Sequence, residues 1–343
     1  MSPDRINFPQ KILVLTDNRA GTNNQSIALA EEVGDYDIFK IEHSFLGKLP
    51  NKFFSNSWSR ISKESATKLQ EKLQNDGFPS FIICGGRKLA LIARMIKEQS
   101  NFSSKIIQIM QPQLPINNFD IVIIPDHDNF KYRNDKRVIF SVGALNKVNK
   151  KNLALEKEKF TDSLGKISKK KITLLLGGKS RGVGFGKTQA LDLIKFIDKV
   201  AKRENAKILI LNSRRTEAKI NKIFKNNLNC DYEFFDWRQY QNSENNPYLA
   251  VLAYSDKLIV SSDSISMISE CCSTQKPTYV FNCDKLPSKK HERFLQYMLR
   301  NIFVKKLNTN KSFLKEFEPK KLQETKRIAS IIKFKYLKND PID

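Results

Sequence analysis

The sequence predicts an α/β protein of two domains, each a parallel sheet flanked by helices. Three observations carry that expectation. Short apolar runs of strand type recur along the chain, each followed by a small or glycine-bearing polar turn and then by apolar residues at helical spacing. The series is interrupted once, from about Asn146 to Lys171, by a basic stretch poor in apolar periodicity that holds Gly165 and the run Lys169-Lys170-Lys171. A chain of 343 residues is also long enough for two cores of ordinary size. The expected domains are therefore 1–150 and 171–343, joined by a connection at 151–170 that includes one helix.

In the first half, Lys11 to Leu15 reads as a buried strand and Thr16 to Gln25 as a polar loop with a single glycine, Gly21. A helix carrying Ile27, Ala30 and Val33 follows, then a strand at Asp37 to Ile41. Phe45 to Arg60 mixes aromatics with Lys and Arg and fits neither period. It reads as a loop whose aromatics reach the core, the alternative being a patch that inserts Phe53, Phe54 and Trp58 into an anionic membrane. Phe81 to Cys84, Gly85-Gly86-Arg87 and a helix with Leu89, Ile92, Ala93 and Ile96 repeat the strand, turn, helix unit. Lys105 to Met110 and Asp120 to Ile124 are further strands. In a parallel sheet the functional loops gather at the carboxyl ends of the strands, which would put Asp17, Arg87, Gln111 and His127 on one rim. His127 lies between Asp126 and Asp128, and a neighbouring carboxylate raises and orients an imidazole. The acid–base candidates are therefore His127, Asp128 and Asp17, although an Asp-His-Asp turn also serves simply to cap a loop.

The second half opens with a strand at Ile172 to Leu176 and the glycine-rich loop Gly177 to Gly182, after which Thr188 is placed to cap a helix with Ala190, Leu193, Ile194, Ile197 and Ala201. A P-loop ending at Gly186-Lys187-Thr188 needs glycine at 181, where Arg181 stands, so only a looser anion cradle remains. Lys207 to Leu211 is a strand ending in Asn212-Ser213-Arg214-Arg215-Thr216, and adjacent arginines there suit an anion or a solvated helix start. Asn246-Pro247 is a helix start. Then Lys257 to Val260, the turn Ser261-Ser262-Asp263-Ser264, about a dozen helix-compatible residues and Thr278 to Phe281 form strand, turn, helix, strand. Such a helix start attracts anions, phosphate above all. Glu270, a carboxylate among Met267, Ile268, Cys271 and Cys272, requires a partner, and a ribose diol is one candidate. His291 to Arg300 has helical spacing, and a final helix is expected from Pro319, with Leu322, Ile328, Ile331 and Ile332.

Composition narrows the function classes. Forty per cent hydrophobic and 28% charged residues, with no apolar run of membrane-spanning length and a polar N-terminal stretch, lead us to expect a soluble cytoplasmic protein. Five cysteines without a CxxC pair indicate neither a disulfide framework nor a zinc site, and no metal is expected. The net charge of +24 is mostly lysine spread over the whole length, in a chain rich in Asn, Ile and Phe, as AT-rich codons produce. No nucleic-acid-binding signature accompanies it, so an anionic ligand or membrane surface is the better expectation.

The motifs TDNRAGTNNQ, CGGRKLALIAR, QPQLP with FDIVIIPDHD, VGALNKV, LLLGGKSRG, NSRRT and the run from Asn246 to Phe281 keep one order along the chain. In this they resemble the family of the plant ELM (elongated mitochondria) fission factor and its bacterial relatives, from Leu13 to about Phe281. Cys271, Cys272 and Gln275 depart from it, standing where small residues and glycine are usual. That family resembles GT-B glycosyltransferases and nucleotide-sugar 2-epimerases. The resemblance implies two Rossmann-like domains facing across a cleft, a C-terminal helix crossing back to the first domain, and a nucleotide diphosphate held by the second.

Asp263 to Glu270 is similar to the donor motif of the peptidoglycan N-acetylglucosaminyltransferase. This puts Glu270 on the ribose hydroxyls, Ser264 and Ser266 at the phosphates, and the loop Gly177, Gly178, Ser180 and Arg181 beside the diphosphate. Ser213, Arg214, Asn246 and Ser262 complete the expected donor site. A nucleotide-sugar donor is thus implied, with no tightly bound cofactor, and transfer to a surface-polysaccharide or lipid-linked acceptor. The plant relative promotes fission by recruiting a dynamin-type partner, so the family also implies a non-catalytic scaffold peripheral to a membrane, and the fold a 2-epimerase.

Overall fold

The computed structural model describes residues 11–48, 58–128, 131–179, 183–184, 186–241, 243, 245–281 and 286–337. Two compact units result. The first runs to Lys147 and takes in the chain's last stretch from Glu324, and the second is Val148–Gln323.

In the first unit, β1 (Ile12–Thr16), β2 (Tyr36–Lys40), β3 (Phe81–Gly85), β4 (Lys105–Ile109), β5 (Ile121–Pro125) and β6 (Val138–Ser141) form a sheet in the order β2-β1-β3-β4-β5-β6. Every pairing is parallel. A parallel sheet must be covered on both faces, and the alternation of side chains along each strand supplies both. Leu13, Leu15, Ile82, Ile106 and Val122 pack against α2 (Lys63–Asp76) and α3 (Gly86–Gln99). Ile12, Val14, Ile83, Ile107 and Ile121 pack against α1 (Ala20–Val33) and the chain's last helix, Glu324–Leu337. That last helix is held by Ile328 and Ile332, both with no exposed surface and each contributing about 1.5–3 kcal/mol by burial. Thr325 both donates to the carbonyl of Asn146 and accepts its N–H, each at 3.0 Å. An Ile332→Asp change would bury an unpaired charge there and detach the helix.

The second unit repeats the plan with β7 (Lys170–Leu175), β8 (Ala206–Leu211), β9 (Tyr232–Phe235), β10 (Lys257–Ser261), β11 (Thr278–Phe281) and β12 (Lys305–Lys306), in the order β12-β11-β10-β7-β8-β9. All of these pairings are parallel too. Its helices are α4 (Lys150–Lys159), α5 (Lys187–Glu204), α6 (Ala218–Asn227), α7 (Tyr248–Tyr254), α8 (Ile265–Ser273) and α9 (Lys289–Arg300), which makes the last helix of the chain α10. Each sheet therefore has a point where strand order reverses, between β1 and β3 in the first unit and between β7 and β10 in the second. Connections leave such a point in opposite directions and open a crevice at the carboxyl ends of the two strands.

Several sequence expectations are corrected. The stretch 151–170 contains the expected helix, but it is part of the second unit rather than a connection between the two. It holds most of α4 and a short π-helical turn at Thr161–Gly165, and both belong to the second unit. No residue of α4 is buried, so it has no apolar stripe to read. It is docked by Tyr254, whose hydroxyl donates to the carbonyl of Lys157 at 2.8 Å and whose ring carries the Lys157 ammonium at 5.1 Å. The C-terminal helix belongs to the first unit from Glu324 on, as the crossing helix implied by the resemblance requires, so the second unit ends at Gln323 rather than at 343. Thr188 does not cap α5; the N-cap is Gly186, whose N–H donates to Gln189 Oε1 at 2.7 Å. The final helix starts at Glu324, not at Pro319. Trp58 packs, half-buried, against the first unit's core, as the loop reading expects, while Phe53 and Phe54 lie outside the described residues. No helix among the described residues is long and apolar enough to cross a membrane.

Candidate functional site

The second unit's reversal point brings the carboxyl ends of β7 and β10 together. β7 runs into Gly177 and Gly178, whose N–H groups donate to Ser261 Oγ at 2.8 Å and to Asp263 Oδ2 at 2.9 Å. Both positions require glycine for lack of space. A Cβ on Gly177 would stand 2.4 Å from the Asp263 carboxylate, and one on Gly178 would stand 2.0 Å from the backbone oxygen of Arg215. Asp263 is completely buried, with Arg215 Nη2 3.7 Å from its carboxylate. The loop after β8 is tied in by Thr216, whose hydroxyl donates to the carbonyls of Leu176 and Gly177. Gly178 also lines a cavity of about 170 Å³, together with Lys179, Gly184, Gly186, Thr216, Glu217 and Ile220.

Glu270 sits one and a half turns into α8, a helix capped by Ser264, whose side chain accepts from Met267 N–H. It retains some exposure, yet protein atoms surround it, and that burial pushes its carboxyl up to about 7. The opposing influence is the Tyr248 hydroxyl, which donates to it and favours the ionised form. Asn246 accepts from the Tyr248 N–H at 3.0 Å and so fixes the start of α7, where that tyrosine stands.

The expected donor residues therefore divide. Gly177, Gly178, Ser262 and Ser264 come together around the ends of β7 and β10, and Glu270 lies further along α8 against Tyr248. The N–H groups of Gly177 and Gly178, however, are already satisfied within the unit. Ser262 is buried and hydrogen-bonded through its N–H to the Phe281 carbonyl. Ser213 is spent on its own turn, accepting from Arg215 N–H while its N–H donates to Thr216. Arg214 points to solvent, and its neighbour Arg215 is the arginine turned toward Asp263. Ser266 is exposed, and Asn246 acts through Tyr248. Ser180 and Arg181 lie outside the described residues.

In the first unit the three acid–base candidates do not form one constellation. Asp17, at the end of β1, accepts from Arg19 N–H and Nε at 2.8 Å each and pairs with Arg19 Nη2 at 2.6 Å. His43 Nε2 lies 3.2 Å from Oδ2, the same carboxylate oxygen that takes Arg19 Nε and Nη2. Burial alone would raise this acid, but the hydrogen bonds from His43 and Arg19 prevail and hold it well below the usual carboxylate range. Asp17 is therefore a permanent anion and a poor base, and it orients His43, a residue the motif reading passed over. His127 and Asp128 follow β5, three strands away in the sheet order, or roughly 14 Å at the usual strand spacing. His127 is 8% exposed, and its Nε2 lies 3.8 Å from Asp128 Oδ1, too far for a hydrogen bond. Among the described residues no three His, Cys, Asp or Glu side chains form a metal-binding group.

Two parallel sheets with loop clusters at their reversal points define an α/β protein of the GT-B-like class. Its fold is similar to that of the UDP-GlcNAc 2-epimerase from Methanocaldococcus jannaschii, with a TM-score of 0.54 over 94% of this chain and 99% of that one, at 12% sequence identity. The family model for mitochondrial fission ELM1 matches residues 20–336, and the chain belongs to that family. Uncharacterized protein RP120 of Rickettsia prowazekii is 31% identical over 94% of this chain and 98% of its own length. Mitochondrial fission protein ELM1 of Arabidopsis thaliana is 26% identical over 63% of this chain, and the match spans 54% of the plant protein.

Proposed function

We propose that the second unit binds a nucleotide-diphosphate sugar and that the protein transfers the sugar to a hydroxyl of a surface-polysaccharide or lipid-linked acceptor. The observation that carries this reading is Glu270, a carboxylate kept near neutrality on the helix that leaves the reversal point, with a tyrosine hydroxyl as its hydrogen-bond donor. A ribose diol offers that acid two further donors. Arg215 and the start of α8 would take the diphosphate, Arg215 replacing the exposed Arg214 in this role. In the transfer, the acceptor oxygen attacks the anomeric carbon, the bond to the diphosphate breaks with its electron pair, and a base removes the hydroxyl proton. His43, bonded to Asp17, is the base that the first unit would offer, with His127 and Asp128 the alternative pair.

Isothermal titration with UDP tests the donor claim. Saturable binding is expected, weakened about tenfold or more in Glu270→Ala by loss of a charge-assisted contact. Absence of binding for every common nucleoside diphosphate would overturn it. Product analysis from a nucleotide sugar without acceptor would reveal epimerisation if the same pocket serves that reaction.

Family membership favours one other reading, a non-catalytic scaffold peripheral to an anionic membrane. Phe45, 78% exposed beside a basic stretch, is the residue that supports it. A scaffold should co-sediment with anionic vesicles, lose that on Phe45→Ser, and be indifferent to Glu270→Ala.

A further inference from the structure

The reversal point of the first unit gathers cations. Arg19, held on Asp17, lays its guanidinium over Gly86, where a Cβ would stand 2.8 Å from Nη1. The next two residues, Arg87 and Lys88, open α3, which has no side-chain cap and no acid in its first turn. On the other flank of β1, His43 bonds Asp17 and pairs across an antiparallel bridge with Ile61. That bridge brings in Arg60, 2% exposed, whose backbone carbonyl accepts from Ser44 N–H at 3.0 Å and whose Nη2 reaches the Gly47 carbonyl at 3.5 Å.

These side chains feel one another. Burial and then Arg87 lower the pKa of Arg60. Burial and then Arg19 lower that of Lys88, with Arg87 and Arg60 adding to the effect and Asp17 opposing it. Like charges in one partly desolvated place raise the energy of the fold. Two of them also occupy a helix start, where the dipole disfavours cations. A multivalent anion removes both penalties.

We propose that this edge of the first unit is a binding site for a phosphate-bearing ligand, a phosphomonoester or diphosphate gripped by Arg19, Arg87 and Lys88, with Arg60 adding charge. That such a ligand is the acceptor rests on the transfer reading above; the binding itself does not.

The test is isothermal titration of the full chain with inorganic pyrophosphate. Saturable binding is expected, falling about a hundredfold in Arg87→Gln with Lys88→Gln, about tenfold for each charge-assisted contact. Lys68→Gln, on an exposed α2 pair with Glu64, should change nothing, and Glu270→Ala should leave pyrophosphate affinity intact while weakening UDP. If the double variant does not fold, Lys88→Gln alone is read for its tenfold loss. Absence of saturable pyrophosphate binding, an unchanged affinity in the variant that folds, or an equal loss in Lys68→Gln would each overturn the site. Phosphatidylcholine vesicles with and without phosphatidic acid assign the source. Sedimentation with the acidic vesicles that pyrophosphate competes away identifies a lipid phosphate, whereas pyrophosphate binding without sedimentation identifies a soluble one.

Discussion

The two reversal points share a topology and differ in charge and in tightness. In the second unit a wholly buried Asp263 reaches across to hold Gly178, and the loops after β7, β8 and β10 interlock through backbone contacts. In the first unit the comparable contact is made by Arg19 over Gly86, a flexible side chain against a glycine with φ of +71°. One crevice is closed by a carboxylate built into the fold with Arg215 turned toward it, and at the other Arg19 is held on Asp17 while Arg87 and Lys88 stand at a helix start. Equivalent topology thus fixes where a ligand crevice opens but not how its charges are arranged, which depends on which side chains the loops carry.

The sharpest way to break this comparison is to add one methyl group to each loop. Gly178→Ala should cost about 3 kcal/mol or more, because its Cβ meets backbone that cannot move aside. Gly86→Ala should cost only about 1–2 kcal/mol, the penalty of the left-handed conformation, since the tip of Arg19 can shift. Urea unfolding of the two variants measures the difference, and equal losses would contradict the contrast in tightness.

A pH series separates the units next. Asp17 is depressed in the folded state, so its contribution to stability is complete above the ordinary carboxylate value of about 3.9 and is lost as pH falls below that toward its folded value. Asp17→Asn should be less stable than the wild type at neutral pH, and that deficit should shrink on acidification. Glu270 behaves in the opposite sense. Its raised carboxyl favours the fold most below the ordinary value, an advantage lost as pH rises through about 7. Nucleotide binding that requires the carboxylate should therefore strengthen over the same rise.

The smallest expected effect is that of Tyr248→Phe. It removes the one influence that lowers Glu270, so the midpoint of the binding pH profile should move upward, with little change in stability. An unmoved midpoint would separate Glu270 from nucleotide binding.

Much of the fold was legible because it is local. Runs such as 12–15 and 81–84 are apolar throughout, as strands buried on both faces must be. Elements with weak patterns are not legible: α2, with only Ser65, Leu69 and Leu73 buried, and the partly exposed strands β6 and β9, while α4 is expected as a helix but not its place in the second unit. At the candidate sites the residue types were legible and their partners were not. Ser261, Asp263 and Glu270 stood out as polar groups around a helix start, and Gly177-Gly178 as a tight turn. Which arginine of the pair at 214 and 215 turns inward, and that His43 meets Asp17, depend on loops from different strands.

By itself, then, the sequence determined the strand and helix repeats, the two cores, and the positions where only glycine or a small polar residue would serve, because those follow from periodicities of two and 3.6 residues and from the space a side chain needs. The tertiary structure alone decided the partnerships. Asp263 binds an N–H 85 residues away, and His43 finds an acid 26 residues before it. Strand order, which no local pattern encodes, brings such residues within reach, and with them it sets how charge is arranged at each crevice.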